Sequence, residues 1–144
     1  MTTWFHQKMD LSLINSSSKG TMVEHLDIKV TNIGDGFIEG TMPVDQRTIQ
    51  PMGLLHGGAS CVLAETLGSI AANLCIDQAK YYAVGLAINT NHIRSARSGL
   101  VTGRARHVHL GKSTQVWEIT IRDSLDRTVS VTRLTMAVKL RQPD

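Results

Sequence analysis

The fold is decided by one stretch, Ala59-Ser60-Cys61-Val62-Leu63-Ala64-Glu65-Thr66-Leu67-Gly68-Ser69-Ile70-Ala71-Ala72-Asn73-Leu74-Cys75-Ile76. Residues 58–76 contain no proline and are apolar on nearly every side, which predicts one long, buried helix. Small residues recur at steps of three or four along it, at Cys61, Ala64, Gly68, Ala71 and Cys75. Such a stripe lets a neighbouring element approach closely, so we expect a sheet wrapped over the helix.

Six strand-like segments surround this helix in the sequence, two before it and four after it. Segments 26–32 and 37–42 flank the turn residues Gly34-Asp35-Gly36 and predict a hairpin, while residues 15–20 predict a loop or helix end. The later segments are 81–93, 100–110, 114–122 and 128–140. No helix-length segment separates them, so antiparallel pairing is expected. The order predicts a single α+β domain over residues 1–144, in which a curved antiparallel sheet surrounds one central helix.

The composition of the 144 residues indicates a globular protein whose surface is partly covered. Hydrophobic residues make up 42% and charged residues only 19%, below the roughly 25% of typical soluble domains. This argues against a disordered tail protein and suggests a partner subunit. No apolar run reaches the roughly 18 residues of a membrane span, and the first eight residues lack the apolar core of a signal peptide. We therefore expect a cytoplasmic protein without a membrane partner.

Charge is distributed unevenly along the chain. Residues 78–117 contain no acidic residue and six basic ones, which are Lys80, Arg94, Arg97, Arg104, Arg106 and Lys112. This asymmetry suggests a surface that meets an anion. A nucleic-acid partner is not expected, because few aromatic residues are interleaved with the basic ones. A phosphorylated small molecule fits better, and the competing interpretation is a set of solvated strand faces.

Glu65 is the only formally charged residue between His56 and Ile76. A carboxylate on an apolar helix costs several kcal/mol unless it is paired or neutralised, so it is either a satisfied structural acid or a catalytic group. The helix is preceded by Gly57-Gly58, which leave backbone N–H groups free at the positive end of the helix dipole. That is the construction of an oxyanion hole for acyl transfer, although a glycine pair also suits a tight turn.

The distance between these two features constrains how they could act together. Glu65 lies eight residues beyond Gly57, which is about 12 Å along a helix axis. One carbonyl group cannot easily contact both. The spacing therefore predicts a site shared between two copies of the chain at a symmetric dimer interface.

Other chemistry finds less support in the sequence. His107 and His109 are two apart on a predicted strand and could join His92 in a metal site. No carboxylate or cysteine stands nearby in the sequence, so neither a metal nor another cofactor is expected. The Gly-x-Ser-x-Gly, P-loop and Gly-x-Gly-x-x-Gly motifs are absent. Cys61 and Cys75 lie about 21 Å apart on one helix and are interpreted as structural thiols.

The segment His56-Gly57-Gly58 followed by Leu63-Ala64-Glu65 resembles the HGG-x(4)-LAE signature of hotdog-fold acyl-CoA thioesterases. Over about residues 22–140 the chain is similar to one branch of this family, the bacterial 1,4-dihydroxy-2-naphthoyl-CoA thioesterases. That branch is itself similar to the 4-hydroxybenzoyl-CoA thioesterases. The segments that carry this similarity are Met42-Pro43-Val44-Asp45, Arg47-Thr48, Gln50-Pro51, Asn89-Thr90-Asn91-His92, Arg94-Ser95, His109-Leu110-Gly111 and Gln115-Val116-Trp117.

The resemblance implies a role for each matching residue. Glu65 is implied as nucleophile or general base, and the Gly57 N–H as the group that polarises the thioester carbonyl. His56 would lie beside the thioester, Gln50 would position the carbonyl or water, and Ser69 would help hold the attacking water. The segments implied in binding coenzyme A (CoA) are Gly85, then His92, Ile93, Arg94 and Ser95, and then His109, Leu110, Gly111, Lys112, Ser113 and Thr114.

The resemblance also implies a homotetramer built as a dimer of dimers and a place in menaquinone biosynthesis. Ala87 stands where relatives of this branch often carry an acid, and the 78–82 connection is slightly longer than usual. These two departures leave the identity of the acyl group undetermined. Two alternatives remain. One is a hotdog dehydratase acting on 3-hydroxyacyl thioesters, and the other is a non-catalytic acyl-CoA-binding module. The latter usually carries an output domain, whereas one fold is expected to use all 144 residues.

Overall fold

The computed structural model describes residues 3–5 and 8–142. These residues contain nine helices and strands. Their bounds are α1 Leu11–Ser16, α2 Met22–His25, β1 Lys29–Gly34, β2 Phe37–Pro43, α3 Gly57–Leu74, β3 Tyr81–His92, β4 Leu100–Leu110, β5 Thr114–Arg122 and β6 Thr128–Leu140. The predicted order of two strands, one long helix and four strands is confirmed.

The six strands form one antiparallel sheet in the order β1-β2-β4-β5-β6-β3. Helix α3 contacts the five strands β2 to β6, so the sheet wraps around it. The side chains of β5 alternate between the two faces of the sheet as expected, and Trp117, Ile119 and Ile121 are fully buried on the face toward the helix. The predicted α+β architecture, a curved sheet around one central helix, is confirmed, and it leaves β3 as an outer strand of the sheet.

The small residues of α3 allow the close approach that the sequence predicts. Gly68 is buried, and a Cβ atom there would lie 2.5 Å from a methyl group of Leu134 in β6. Ala64 and Ala71 of the same stripe are completely buried. Helix and sheet therefore meet at a distance that larger side chains would prevent.

Element boundaries differ from the sequence prediction at the start of the chain. The first strand begins at Lys29 instead of residue 26, because Asp27 adopts a left-handed conformation with φ of 53° at the end of α2. Leu26 and Ile28 are buried nonetheless. Helices α1 and α2 were not predicted, whereas the turn after α1 falls within the predicted segment 15–20. Helix α3 starts one residue earlier than predicted and ends at Leu74.

Both cysteines are free. Burial raises the pKa of the Cys75 thiol to about 12, so this group stays protonated and unreactive at neutral pH. The Cys61 thiol donates to the hydroxyl of Thr90 at 3.3 Å and ties α3 to β3. Among the described residues, no helix is long and apolar enough to cross a membrane.

Candidate active site

The start of α3 presents a free backbone donor. His56 is the N-cap residue, and its Nδ1 accepts a hydrogen bond of 2.8 Å from the Gly58 N–H. The Gly57 N–H donates to no group in the described part of the chain. A Cβ atom at Gly57 would lie 2.8 Å from Nε2 of His92, so the imidazole ring lies directly over the glycine. A substrate oxygen can therefore reach an N–H group at the positive end of the helix.

The loop before α3 carries Gln50 to the same place. Thr48 is buried, and its hydroxyl donates to the Pro43 carbonyl at 2.7 Å. The hydrogen bonds from the side chain and backbone N–H of Arg47 lower the pKa of Asp45 to about 2, so that this ion pair holds the loop at neutral pH. The side-chain oxygen of Gln50 accepts from the Met52 N–H, which orients the amide.

A cavity of about 290 Å³ opens at this end of the helix. It brings together six of the predicted site residues, whereas His56, the residue before Gly57, is exposed and is not part of its lining. Ser60, which sequence reasoning missed, also lines it and is only 2% exposed. The signal that could have found Ser60 is its position one helical turn after Gly57. The six are Gln50, Gly57, His92, Ile93, Arg94 and Ser95.

Glu65 lies in a second cavity, of about 390 Å³, away from the first. Its half-buried carboxylate forms no hydrogen bond or salt bridge with any described residue. A Cβ atom at Gly85 in β3 would overlap the Oε1 atom, so the carboxylate packs on the bare backbone there. Ser69 lines the same cavity, and its hydroxyl lies 3.9 Å from the sulfur of Met136.

The predicted CoA-binding segments lie at opposite ends of the sheet within one chain. His92 pairs with Ser130 of β6, whereas Thr114, at the β4–β5 turn, pairs with Ala137 of the same strand. Seven residues of β6 separate these points, which is about 23 Å. Gly85 pairs with Met136, so it lies at the same end of β6 as Thr114, beside Glu65 and not beside His92. The structure therefore separates the predicted site residues of one chain into two groups, one around Gly57 and His92 and one around Glu65 and Gly85.

The sequence model of the thioesterase superfamily matches residues 52–130, more than half of the chain. The chain belongs to the thioesterase superfamily. It is 51% identical over 132 residues to the 1,4-dihydroxy-2-naphthoyl-CoA hydrolase of Escherichia coli K12, covering 92% of this chain and 96% of that protein. It is 46% identical over 132 residues to the proofreading thioesterase EntH of Klebsiella pneumoniae, with the same coverage.

Solved structures agree with this thioesterase assignment. A mutant thioesterase from Pseudomonas aeruginosa matches with a TM-score of 0.95 and 46% identity, over 97% of this chain and all of that one. A thioesterase from Haemophilus influenzae matches with a TM-score of 0.93 and 45% identity, over 96% of each chain. The hotdog fold and the enzymatic class that the resemblance implied are confirmed.

The basic residues of this thioesterase do not form one acid-free surface, as residues 78–117 had suggested. Arg104 forms a salt bridge of 3.2 Å with Glu39, and its guanidinium group stacks on Phe37. Arg106 stands opposite Glu118 in the β4–β5 ladder. Glu39 and Glu118 come from the strands on either side of β4, β2 and β5. Their positions beside the arginines depend on the register of the sheet. Of the basic residues in the segment, Arg94 lines the cavity at Gly57.

The three-histidine cluster considered for a metal is not assembled in the thioesterase. A β-bulge between His107 and His109 interrupts their alternation, and the ring of His107 packs edge-on against Trp117. His92 lies at Gly57 instead. In the part of the chain that the structure describes, no group of three or more His, Cys, Asp or Glu residues is placed to hold a metal ion.

Proposed function

We propose that the chain hydrolyses an acyl-CoA whose acyl group is aromatic, such as 1,4-dihydroxy-2-naphthoyl-CoA, to the free acid and CoA. The observation that carries this proposal is the carboxylate of Glu65, which is unpaired among the described residues and is the only charged group in the lining of its cavity. The similarity to the Escherichia coli hydrolase supports this choice of acyl group. We also propose, from the family resemblance of the sequence, that the reaction belongs to menaquinone biosynthesis.

The chemistry follows from the two groups of residues, around Gly57 and around Glu65, taken as two half-sites. The carboxylate of Glu65 either attacks the thioester carbonyl carbon, or removes a proton from a water molecule that does so. In both cases the developing oxyanion accepts a hydrogen bond from the Gly57 N–H and is stabilised by the helix dipole. The carbon–sulfur bond then breaks, and CoA leaves as a thiolate. Direct attack leaves an acyl-glutamyl anhydride that water hydrolyses.

The acyl group is proposed to occupy the cavity beside Glu65. Apart from Glu65 and Ser69, its lining includes the apolar side chains of Met22, Val62 and Ile70, contributed by α2 and α3. A cavity of about 390 Å³ has room for a fused aromatic ring system.

The two half-sites are proposed to meet in a homodimer. Strand β3 is an outer strand with exposed apolar side chains, among them Val84 and Leu86, which are 45% and 60% exposed. An edge of this kind favours pairing with another strand. Antiparallel pairing of β3 with its copy around a two-fold axis brings the Gly85 end of one strand to the His92 end of the other. Glu65 of one chain then approaches the Gly57 N–H of the second chain.

By family resemblance, two such dimers form a tetramer, and we propose the cytoplasm as its compartment. CoA binding would then draw on His92–Ser95 of one chain and on His109–Thr114 of the other. In the same proposal His56 lies beside the thioester, Gln50 positions the carbonyl or water, and Ser69 helps hold the attacking water.

A substrate screen tests the proposed function. Purified protein is offered aryl-, short-chain and long-chain acyl-CoA, and thiol release is followed. The proposal expects the highest kcat/KM with an aryl-CoA. An enoyl product from a 3-hydroxyacyl thioester would favour a dehydratase, and tight binding without turnover would favour an acyl-CoA-binding module.

Arg94→Gln is expected to raise KM for the acyl-CoA about tenfold and to leave kcat nearly unchanged, because a phosphate contact affects binding more than chemistry. The effect should shrink in high salt and disappear with a truncated thioester that lacks the nucleotide. Arg104→Gln is the matched control, since Arg104 is paired with Glu39 on the other face of the sheet. Equal KM values for wild type and Arg94→Gln would exclude Arg94 from CoA binding.

A further inference from the structure

The last turn of α3 holds the beginning of β3 through one side chain, that of Asn73. Its amide nitrogen donates to the carbonyls of Ser69 at 2.9 Å and of Ala83 at 3.0 Å. Its amide oxygen accepts from the Ala83 N–H at 2.9 Å. Both backbone groups of Ala83 are thus bound by one planar amide, as they would be by a neighbouring strand.

The N–H and C=O groups of Ala83 lie on the side of β3 that faces away from β6, at the edge of the sheet. Ala83 stands opposite Val138 of β6, but the Val138 N–H donates to the carbonyl of Ser113 on the other side. Ala83 and Val138 are therefore a pair without mutual hydrogen bonds, and the N–H and C=O of Ala83 point away from β6. Asn73 satisfies both groups at a position that is only 7% exposed.

The position of Ala83 determines the position of Gly85, two residues further along β3. Gly85 is the residue on which the Glu65 carboxylate packs, and a β-bulge follows it immediately. The bulge disrupts the pairing with β6 between Gly85 and Ala87, so Gly85 is the last residue in regular register on that side. Its position therefore depends on the strand that precedes it, which begins at Tyr81 and includes Ala83. Glu65 and Asn73 lie eight residues apart on the same face of α3, with Ser69 between them.

We propose that Asn73 is a positioning residue: it locks the start of β3 to α3 and thereby fixes the backbone of Gly85 beneath the Glu65 carboxylate. This inference rests on the proposed function, in which Glu65 acts on the thioester. Small displacements of a catalytic group reduce turnover steeply, by about a hundredfold for 1 Å. Of the predicted CoA-binding residues only Gly85 adjoins this contact, and the segments 92–95 and 109–114 lie elsewhere, so KM should change much less than kcat.

The test compares Asn73→Ala with Gln78→Ala. Gln78 is the matched control because its amide donates to the Asn73 carbonyl at the same helix end but forms no hydrogen bond with any residue of β3. Asn73→Ala is expected to lower kcat about tenfold, with KM within twofold of wild type. The Ala83 amide should exchange its hydrogen at least about tenfold faster. Gln78→Ala should change none of these quantities. If Asn73→Ala does not fold, Asn73→Asp keeps the acceptor, lacks the donors, and should also lose kcat.

Two results would overturn the proposal. One is an unchanged kcat together with faster exchange at Ala83, which would make the contact purely structural. The other is unchanged exchange at Ala83, which would mean that Asn73 does not hold the strand. A wild-type protein that hydrolyses no thioester would instead refute the proposed function, and exchange at Ala83 would still decide whether Asn73 holds β3.

Discussion

Glu65→Gln is expected to lower kcat by about a thousandfold or more, with little loss of folding stability. The carboxylate is the group that would attack the carbonyl or activate water, and such groups contribute about 10² to 10⁴ or more to the rate. The amide is nearly isosteric and neutral. Because the carboxylate forms no ion pair or hydrogen bond with any described residue, its replacement breaks no contact in the fold.

The matched control is Glu39→Gln, the same chemical change on the outer face of the sheet, where the glutamate is paired with Arg104. This variant should retain kcat within about twofold, because the partly exposed ion pair of Glu39 lines neither the cavity at Gly57 nor the cavity at Glu65. Thiol release and thermal unfolding are measured on both variants. Near-normal turnover by Glu65→Gln would remove Glu65 from the mechanism.

Gly85→Ala is expected to lower kcat by about a hundredfold, because the added methyl group would occupy the space of the Glu65 Oε1 atom. The carboxylate must then turn away from its present position. Gly85 is exposed on the outer strand, so the substitution adds no atoms to the core, and the fold should be retained. The measurement is steady-state kinetics with circular dichroism as the check of folding.

A double substitution shows whether the loss acts through Glu65. If Gly85→Ala works by displacing the carboxylate, adding it to Glu65→Gln should lower kcat no further. Losses that multiply in the double variant would mean that Gly85 acts independently of Glu65, for example by contacting the substrate.

The fold could be predicted from sequence because its signals are local. The apolar stretch that includes Leu63 and Leu67 has helical length, and the alternation from Trp117 to Arg122 has the period of a strand. Helix α2 has only four residues and shows no periodicity, so its contribution of Met22 to the cavity beside Glu65 was invisible. The late start of β1 depends on the backbone conformation of Asp27 alone.

The candidate site was predictable as residue types but not as an arrangement. Glu65 stands out as the one charge on an apolar helix, and helix geometry alone separates it from Gly57. The division of the predicted CoA-binding segments between two ends of the sheet depends on strand register, which no local pattern encodes. The pairing of Arg104 with Glu39 is equally nonlocal, since the two residues lie 65 positions apart on adjacent strands.

Glu65 of one chain and Gly57 of another are proposed to act on the same thioester. This arrangement is tested most directly by mixed dimers of Glu65→Gln and Gly57→Val, co-expressed with different tags and purified through both. Valine at position 57 would crowd the His92 ring and fill the first cavity. In a shared arrangement one site of the mixed dimer carries both substitutions and the other carries neither. We therefore predict two nearly inactive homodimers and a mixed dimer with about half of the wild-type kcat. A mixed dimer as inactive as its parents would place both groups in a site within one chain and contradict the account.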